Sequence, residues 1–450
     1  MGKLFGTDGI RGVANTYPMD VETAVSAGRA IAHHVKSTDG DKKVIVIGQD
    51  TRLSGDMIAQ AVAAGICSAG LDVSFLGVLP TPAVAFITAR LGAAAGVVIS
   101  ASHNPFYDNG IKVFDDHGYK LSDDAESSIE MLMDNGGAGA SLRTDPHGMG
   151  QCRPIQNAGD RYLKFLVQSF PHLTLSGRTV VLDCANGATF GVAPELFQRL
   201  GARVIPMFCE PDGININDGC GSQHPQAMAA CVVDNQADLG LAFDGDGDRL
   251  IAVDENGIVL TGDQVMAVCA RDLASKNQLR NQAVVCTVMS NMGFHQAMKK
   301  LGLTVHTTQV GDRYVMQEML ARDAVLGGED SGHLIFRDKH TTGDGMLAAI
   351  RLLDAVQSAG RPLSELARIM TVFPQVLINV DVRSKPDLKS LPEIGQVIDR
   401  VQKQLGEQGR VLVRYSGTQP QCRVMVEGPD RALTTDCCEL IAAVVRKVLG

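Results

Sequence analysis

Three times along the chain a short apolar run leads into a helix-like stretch and then into a second apolar run. VIVIG at 44–48 is followed by a helical stretch from Asp56 to Ala69 and by VSFLG. TVVLD at 179–183 is followed by a helical stretch near Val192 to Leu200 and by RVIPMF; AVVCTV at 283–288 is followed by Phe294 to Leu301 and TVHTT. Strand, helix and strand within about thirty residues form a βαβ unit, which builds parallel or mixed sheets covered by helices. At 450 residues the chain is too long for one ordinary core. Three such blocks therefore predict three α/β domains of similar design. The last block differs: QVLINVDV, GRVLVRYSGT and RVMVEG read as strands, with a helix before the second and another from about Arg431 to Val448. That is an α+β domain. The expected domains are 1–155, 156–254, 255–370 and 371–450, with seams in the polar stretch 143–160, after the strand at 250–254 and near Thr371.

The 45% of hydrophobic residues and 20% of charged ones are a globular composition. A net charge of −9, aromatics at 4% and the absence of Trp argue against a nucleic-acid backbone or stacked bases as the main partner. The eleven cysteines are an odd number, scattered and without a CxxC pair, and adjacent Cys437 and Cys438 make poor disulfide partners. Free thiols in a reducing cytoplasm are expected. MGKLFGTDGIRG has no apolar core of a secretory signal. Asp72, Pro80, Pro82 and Arg90 interrupt the charge-poor stretch 57–100, so no membrane span is expected there.

Four strings carry chemistry. Asp244-Gly-Asp-Gly-Asp-Arg249 lies between the apolar runs LGLAF and LIAV. Three carboxylates at alternate positions can curl around one hard cation such as Mg²⁺. A calcium loop of EF-hand type is the competing reading, with Glu255 at loop position twelve. It fails where that loop requires Gly and this chain has Arg249, and the flanks read as strands. A solvated acidic turn is disfavoured, because three unpaired acids repel. Ser100-Ala-Ser-His-Asn-Pro105, continuing to Asn109-Gly-Ile-Lys112, follows the strand-like GVVIS. Ser102 thus leaves the carboxyl end of a strand, where open α/β sheets collect ligands. There is no GxSxG elbow, so a metal ion rather than His103 is the expected activator. Taken alone this string also reads as a hydrogen-bonded turn, with a hydrolase as the runner-up function. Arg414-Tyr-Ser-Gly-Thr418, with Arg423 beyond it, offers free N–H groups, hydroxyls and two guanidinium groups suited to phosphate, though a plain turn between strands fits as well. Gly328-Glu-Asp-Ser-Gly-His333 places acid and hydroxyl together, as vicinal sugar hydroxyls need.

Together and in this order, the four strings resemble the α-D-phosphohexomutase superfamily, from Gly6 to the C-terminus. The resemblance implies a serine loop, a metal loop, a sugar loop and a phosphate loop, one from each of four domains around a central cleft. Gly6-Thr-Asp-Gly-Ile-Arg-Gly12, Val310-Gly-Asp-Arg-Tyr-Val315, Thr342-Gly-Asp-Gly345 and Arg423-Val-Met-Val-Glu-Gly428 look like a bacterial branch that acts on glucosamine phosphates. Interconversion of glucosamine 6-phosphate and glucosamine 1-phosphate, feeding UDP-N-acetylglucosamine and cell-wall precursors, is therefore implied. The chain departs from that branch at Gln49, Tyr415, Gln419 and Asp330. Asp330 stands where Gln is expected, and would either favour a cationic amino sugar or rearrange the loop's hydrogen bonds.

The implied mechanism passes phosphate through Ser102 and a hexosamine 1,6-bisphosphate, which is both activator and intermediate. One Mg²⁺ per active site would be held by Asp244, Asp246, Asp248 and the Ser102 oxygen. Arg11 and Arg249 are placed beside that phosphate, Lys112 resembles the family's general acid/base, and His333 is a second candidate. Glu329 and Ser331 would bind the sugar. Arg414, Ser416, Gly417, Thr418 and Arg423 would hold the phosphate that is not reacting. Small sugar phosphates are the expected partners, with no nucleic acid and no membrane, and a homodimer is left open. The alternatives are a phosphomannomutase or phosphoglucomutase of the same superfamily, a sugar phosphatase, and a non-catalytic sensor. The last is disfavoured because nucleophile, metal ligands and acid/base candidates are all retained.

Overall fold

The computed structural model describes residues 4–6, 8–38, 42–134, 143–416 and 420–450. The chain separates into two compact units, one of residues up to Met289 with Leu303–Ile369, the other of Ser290–Gly302 with Met370–Gly450.

In the first unit lie three mixed sheets. The first contains β1 (Phe5–Gly6), β2 (Gly9–Val13), β3 (Val44–Gln49), β4 (Asp72–Val78), β5 (Ala95–Ile99), β6 (Asp108–Phe114) and β7 (Cys152–Pro154), in the order β1-β2-β6-β5-β3-β4-β7. The second contains β8 (Thr179–Asp183), β9 (Arg203–Met207), β10 (Leu239–Phe243), β11 (Leu250–Val253) and β12 (Val259–Leu260), in the order β12-β11-β10-β8-β9. The third contains β13 (Ala283–Thr287), β14 (Thr304–Thr308), β15 (Leu326–Gly328) and β16 (Leu334–Phe336), in the order β14-β13-β15-β16.

One motif repeats in all three. A first strand pairs in parallel with a second and a third, and the third then pairs antiparallel with a fourth. Central strands such as AGVVI and LGLAF are apolar throughout and wholly buried, as strands covered on both faces must be. The three blocks read from the sequence are the first two strands of each repeat.

In the second unit β17 (Gln375–Asp381), β18 (Arg410–Tyr415) and β19 (Gln421–Glu427) form an antiparallel sheet in the order β17-β19-β18. Val424, Val426, Ile441 and Val445 belong to its core, together with Ile394 and Val401 from the helix Pro392–Leu405. The segment Ser290–Gly302 is part of this unit. Asn291 exchanges hydrogen bonds with Phe373, both 3.0 Å, and Met292 N–H donates to Glu427 at 3.1 Å. Among the described residues no helix is long and apolar enough to cross a membrane. All eleven cysteines are free thiols.

Candidate active site

The loops that carry Ser102, the Asp244-Asp246-Asp248 triad and residues 329–333 occupy the same place in the three repeats: each joins the third, parallel strand to the fourth. They leave the carboxyl ends of β5, β10 and β15, where α/β sheets gather ligands.

Ser102 has φ of 54°, a left-handed conformation that costs a serine roughly 1–2 kcal/mol. A buried guanidinium holds it there. Arg52 donates from Nη2 to the carbonyls of Ser102 and Asn104, both at 2.9 Å, and from Nη1 to those of Asp108, at 3.0 Å, and Pro105. Its Nε donates to Asp50 at 2.9 Å, which in turn accepts from Ser100 Oγ at 2.5 Å. Asn217 adds donors to the carbonyls of Ser102 and Asn104 at 3.0 and 3.1 Å. With its backbone tied down, the loop projects Ser102 Oγ, which donates to Asp244 Oδ2 at 2.6 Å. His103 Nδ1 lies 3.3 Å from the same oxygen. Burial, with Arg249 and Arg11 close by, pushes His103 down to about 4.

Asp244, Asp246 and Asp248 are all buried, and one ligand oxygen from each lies within 4.8 Å of the others. Asp246 Oδ1 and Asp248 Oδ1 have no hydrogen-bond partner among the described residues. Burial and then the charges of Asp248 and Asp246 drive Asp244 well above the usual carboxylate range. Three oxygen donors in one tight loop, mutually repelling and with two oxygens unsatisfied, fit a hard divalent cation. Gly245 is required by close approach: a Cβ there would stand 2.6 Å from the Ser102 carbonyl. Thr81 fixes the loop from outside, its N–H donating to the Asp246 carbonyl at 2.8 Å and its hydroxyl to Asp246 Oδ2 at 2.7 Å.

Cationic groups close the ring. Lys112, in the middle of β6, places Nζ 2.8 Å from Asp246, 3.1 Å from Asp8 and 3.8 Å from Asp248. Burial alone would lower Lys112, but Asp246 and Asp8 raise it, so the ammonium stays charged. Arg249 Nε lies 3.9 Å from both Asp244 and Asp248. Arg11, on β2, pairs with Asp8. His333 Nδ1 is 3.5 Å from Asp248; burial opposes its charge, but Asp248 and Asp312 bring it up to about 8. Gly343 makes room for this ring, since a Cβ there would fall 2.3 Å from His333 Nε2.

In the loop 329–333 Glu329 Oε1 accepts Gly311 N–H at 2.9 Å, and Glu329 contributes to the field at Arg249. Ser331 is exposed. Asp330 Oδ1 accepts Asp263 N–H at 3.2 Å, near the start of the helix Gly262–Ser275. Gln49 donates to Asp56 at 2.7 Å.

In the second unit Arg414 and Arg423 are direct partners across β18 and β19. Burial and then the charge of Arg423 lower Arg414, as two adjacent cations demand. Arg423 Nη2 donates to Ser416 Oγ at 3.4 Å, and Lys385 donates to the Ser416 carbonyl at 2.6 Å. Gly417 and Thr418 lie outside the described residues. Arg52, Thr81, Asn217, Asp8 and Lys385 were not singled out from the sequence as site residues. Only Arg52, three residues after the departure at Gln49, and Asp8, in the N-terminal string, lay in or beside a segment singled out there.

Three repeated α/β domains and a fourth domain, with a serine hydroxyl set against a carboxylate triad and a lysine, have the architecture of a phosphohexomutase. Models of the phosphoglucomutase/phosphomannomutase family match domain by domain: the α/β/α domains I, II and III at 2–139, 160–257 and 261–373, and the C-terminal domain at 377–444. A phosphoglucosamine mutase of Syntrophus aciditrophicus is 54% identical over 452 residues, covering all of both chains. One of Syntrophobacter fumaroxidans is 53% identical, again over the whole of both. The fold of a phosphoglucomutase/phosphomannomutase family protein from Burkholderia thailandensis superposes with a TM-score of 0.81 at 24% identity, covering 99% of this chain and 97% of the other. The chain belongs to the α-D-phosphohexomutase superfamily, whose enzymes move a phosphoryl group between positions of one hexose.

Proposed function

We propose that the chain interconverts glucosamine 6-phosphate and glucosamine 1-phosphate through phospho-Ser102 and a 1,6-bisphosphate. The observation that carries the chemistry is the 2.6 Å contact between Ser102 Oγ and Asp244. The amino-sugar substrate rests on full-length identity above 50% to phosphoglucosamine mutases.

Phosphoryl transfer demands alignment and charge neutralisation more than covalent chemistry from the protein. Asp244, Asp246, Asp248 and the Ser102 oxygen would hold Mg²⁺, which when bound would supply positive charge against the phosphoryl oxygens. Arg11, Arg249 and Lys112 supply more from the chain itself. The substrate's free hydroxyl oxygen forms a bond to phosphorus as the bond to Ser102 Oγ breaks, and the hydroxyl proton passes to a base in the site. The bisphosphate then presents its other phosphoryl group, which returns to Ser102 Oγ while the proton goes back to the sugar oxygen left behind. His333, 3.5 Å from Asp248, and Lys112, 2.8 Å from Asp246, are the candidates for that proton, and Lys112 is assigned the acid role. Glu329 and Ser331 are assigned to sugar hydroxyls. Arg414, Ser416, Gly417, Thr418 and Arg423 are assigned to a sugar phosphate.

Phosphorus NMR on glucosamine, glucose and mannose 6-phosphates tests the proposal. Isomerisation of the glucosamine ester at the highest kcat/KM is expected. A preference for mannose or glucose phosphate overturns the substrate, and inorganic phosphate in place of an isomer makes the enzyme a phosphatase.

A further inference from the structure

Lys120 touches neither Ser102 nor the carboxylate triad, yet it stands one residue away from both acid/base candidates. Its ammonium donates to Asp8 Oδ1 and to Asp312 Oδ2. The other oxygen of Asp8 lies 3.1 Å from Lys112 Nζ, and Asp312 Oδ2 lies 3.7 Å from His333 Nε2. That imidazole nitrogen is buried and has no hydrogen-bond partner among the described residues, so Asp312 is the charge it faces. We propose that Lys120 is a positioning residue, which clamps Asp8 to Asp312 and through them sets the places of Lys112 and His333. The proposal rests on the reading of those two residues as the acid/base pair.

The clamp is built on a rigid turn. Lys120 follows β6, the strand that carries Lys112, and bridges back to Phe114. Asp115 Oδ1 accepts the N–H groups of His117 and Tyr119, both at 2.9 Å, and Asp115 N–H donates to the Tyr119 carbonyl at 2.8 Å. The carbonyl of Gly118, at φ of 81°, accepts Thr341 Oγ1 at 2.5 Å. Lys120 and Lys112 are therefore fixed to one frame, and Asp312 is drawn to that frame from the first turn of its helix, Asp312–Ala321. Burial would lower Lys120, but Asp312 and Asp8 raise it, so it acts as a permanent cation. Lys120 and Asp312 also line a cavity of about 540 Å³ whose apolar lining includes Leu121, Met316 and Leu320. Shortening the lysine would enlarge that cavity, so a variant must keep the stem.

A purely structural tie between the same segments exists next door. Arg313 pairs with Asp123 and, at 2.6 Å, with Glu126. It provides the control for simple cross-linking. Kinetics are measured on the wild type, Lys120→Met, Lys120→Arg and Arg313→Met, with whichever hexose phosphate the wild type isomerises. A wrong amino-sugar assignment thus shows in the wild type alone and leaves the comparison valid. Lys120→Met is expected to lose at least tenfold in kcat with KM changed less than threefold, Lys120→Arg to recover most of the loss, and Arg313→Met to stay within twofold in kcat while melting lower. Should Lys120→Met fail to fold, Asp312→Asn breaks the same clamp and carries the same expectation. Wild-type kcat in the folded clamp variant, or an equal kcat loss in Arg313→Met, overturns the proposal.

Discussion

Ser102 Oγ donates to Asp244 Oδ2 at 2.6 Å although the two residues belong to different domains of the family and stand on different sheets. The contact joins a candidate nucleophile to a candidate metal ligand, so removing the hydroxyl should abolish phosphate uptake and leave the fold intact. After incubation of Ser102→Ala with hexose 1,6-bisphosphate, intact-mass spectra should show no phosphorylated species where the wild type shows one. Labelling of the variant to the wild-type extent would remove Ser102 from the mechanism.

Asp246→Asn should cost more in catalysis than in folding. Asp246 is a buried acid crowded by two others and paired with Lys112 at 2.8 Å, so neutralising it relieves repulsion among the acids, which offsets part of the weakened pair, while depriving a cation of a ligand charge. A fall in kcat of about a hundredfold or more is expected. Addition of Mg²⁺ should raise the wild-type melting temperature and hardly move that of the variant. Equal Mg²⁺ shifts in the two proteins would contradict the ligand assignment.

Arg52→Met should loosen the serine loop. It leaves Asp50 buried without its guanidinium and frees the carbonyls of Ser102, Asn104, Pro105 and Asp108. Breaking a buried pair of this kind costs about 3–5 kcal/mol. Hydrogen exchange should quicken at residues 101–109 first. Unchanged protection there would mean that Arg52 holds something other than the loop.

The pH dependence of stability should carry a mark from His340. It is buried; its Nδ1 accepts Thr341 N–H at 2.7 Å, so Nε2 is the nitrogen that donates to the Pro82 carbonyl at 3.0 Å. Burial, against a smaller opposing effect of that carbonyl, lowers it to about 4, below the roughly 6.5 of an unfolded histidine. Between these values the unfolded chain binds more protons, so stability falls as the pH is lowered from about 6.5 towards 4. The contribution is present in full above that window and amounts to roughly 3 kcal/mol at most. Denaturant unfolding at pH 7.5 and 5.0 should show a smaller drop in His340→Gln than in the wild type. Identical drops would mean that His340 titrates normally.

Arg423→Ala should weaken phosphate recognition in both directions of the reaction. Arg423 faces Arg414 across the strands, and its Nε has no hydrogen-bond partner among the described residues. Loss of a charge-assisted contact made with either isomer should raise both KM values by about tenfold. An unchanged KM for both isomers would show that this strand pair is not the phosphate cradle.

What could be read from the sequence was what is local. The carboxylates of Asp244-Gly-Asp-Gly-Asp converge because glycines let six residues turn tightly between two apolar strands, and that needs no other part of the chain. Ser102 was legible for the same reason, as a hydroxyl leaving an apolar strand. The sheets followed from runs whose burial leaves little choice of structure. Other relationships depended on residues far apart in the chain. Lys112 meets Asp246, Thr81 meets the same carboxylate, and Arg52 grips the carbonyls of a loop some fifty residues away. No spacing within one segment encodes such contacts, because they arise when separate strands fix their order and register. Asp330 shows the division within a single residue. Its identity says that a carboxylate is present, and the packing of its loop against the helix Gly262–Ser275 gives one of its oxygens a backbone N–H. Short segments thus determined which chemical groups this protein has. Tertiary structure decided which of them meet, because burial forces each buried charge to find its partner wherever the fold has placed one.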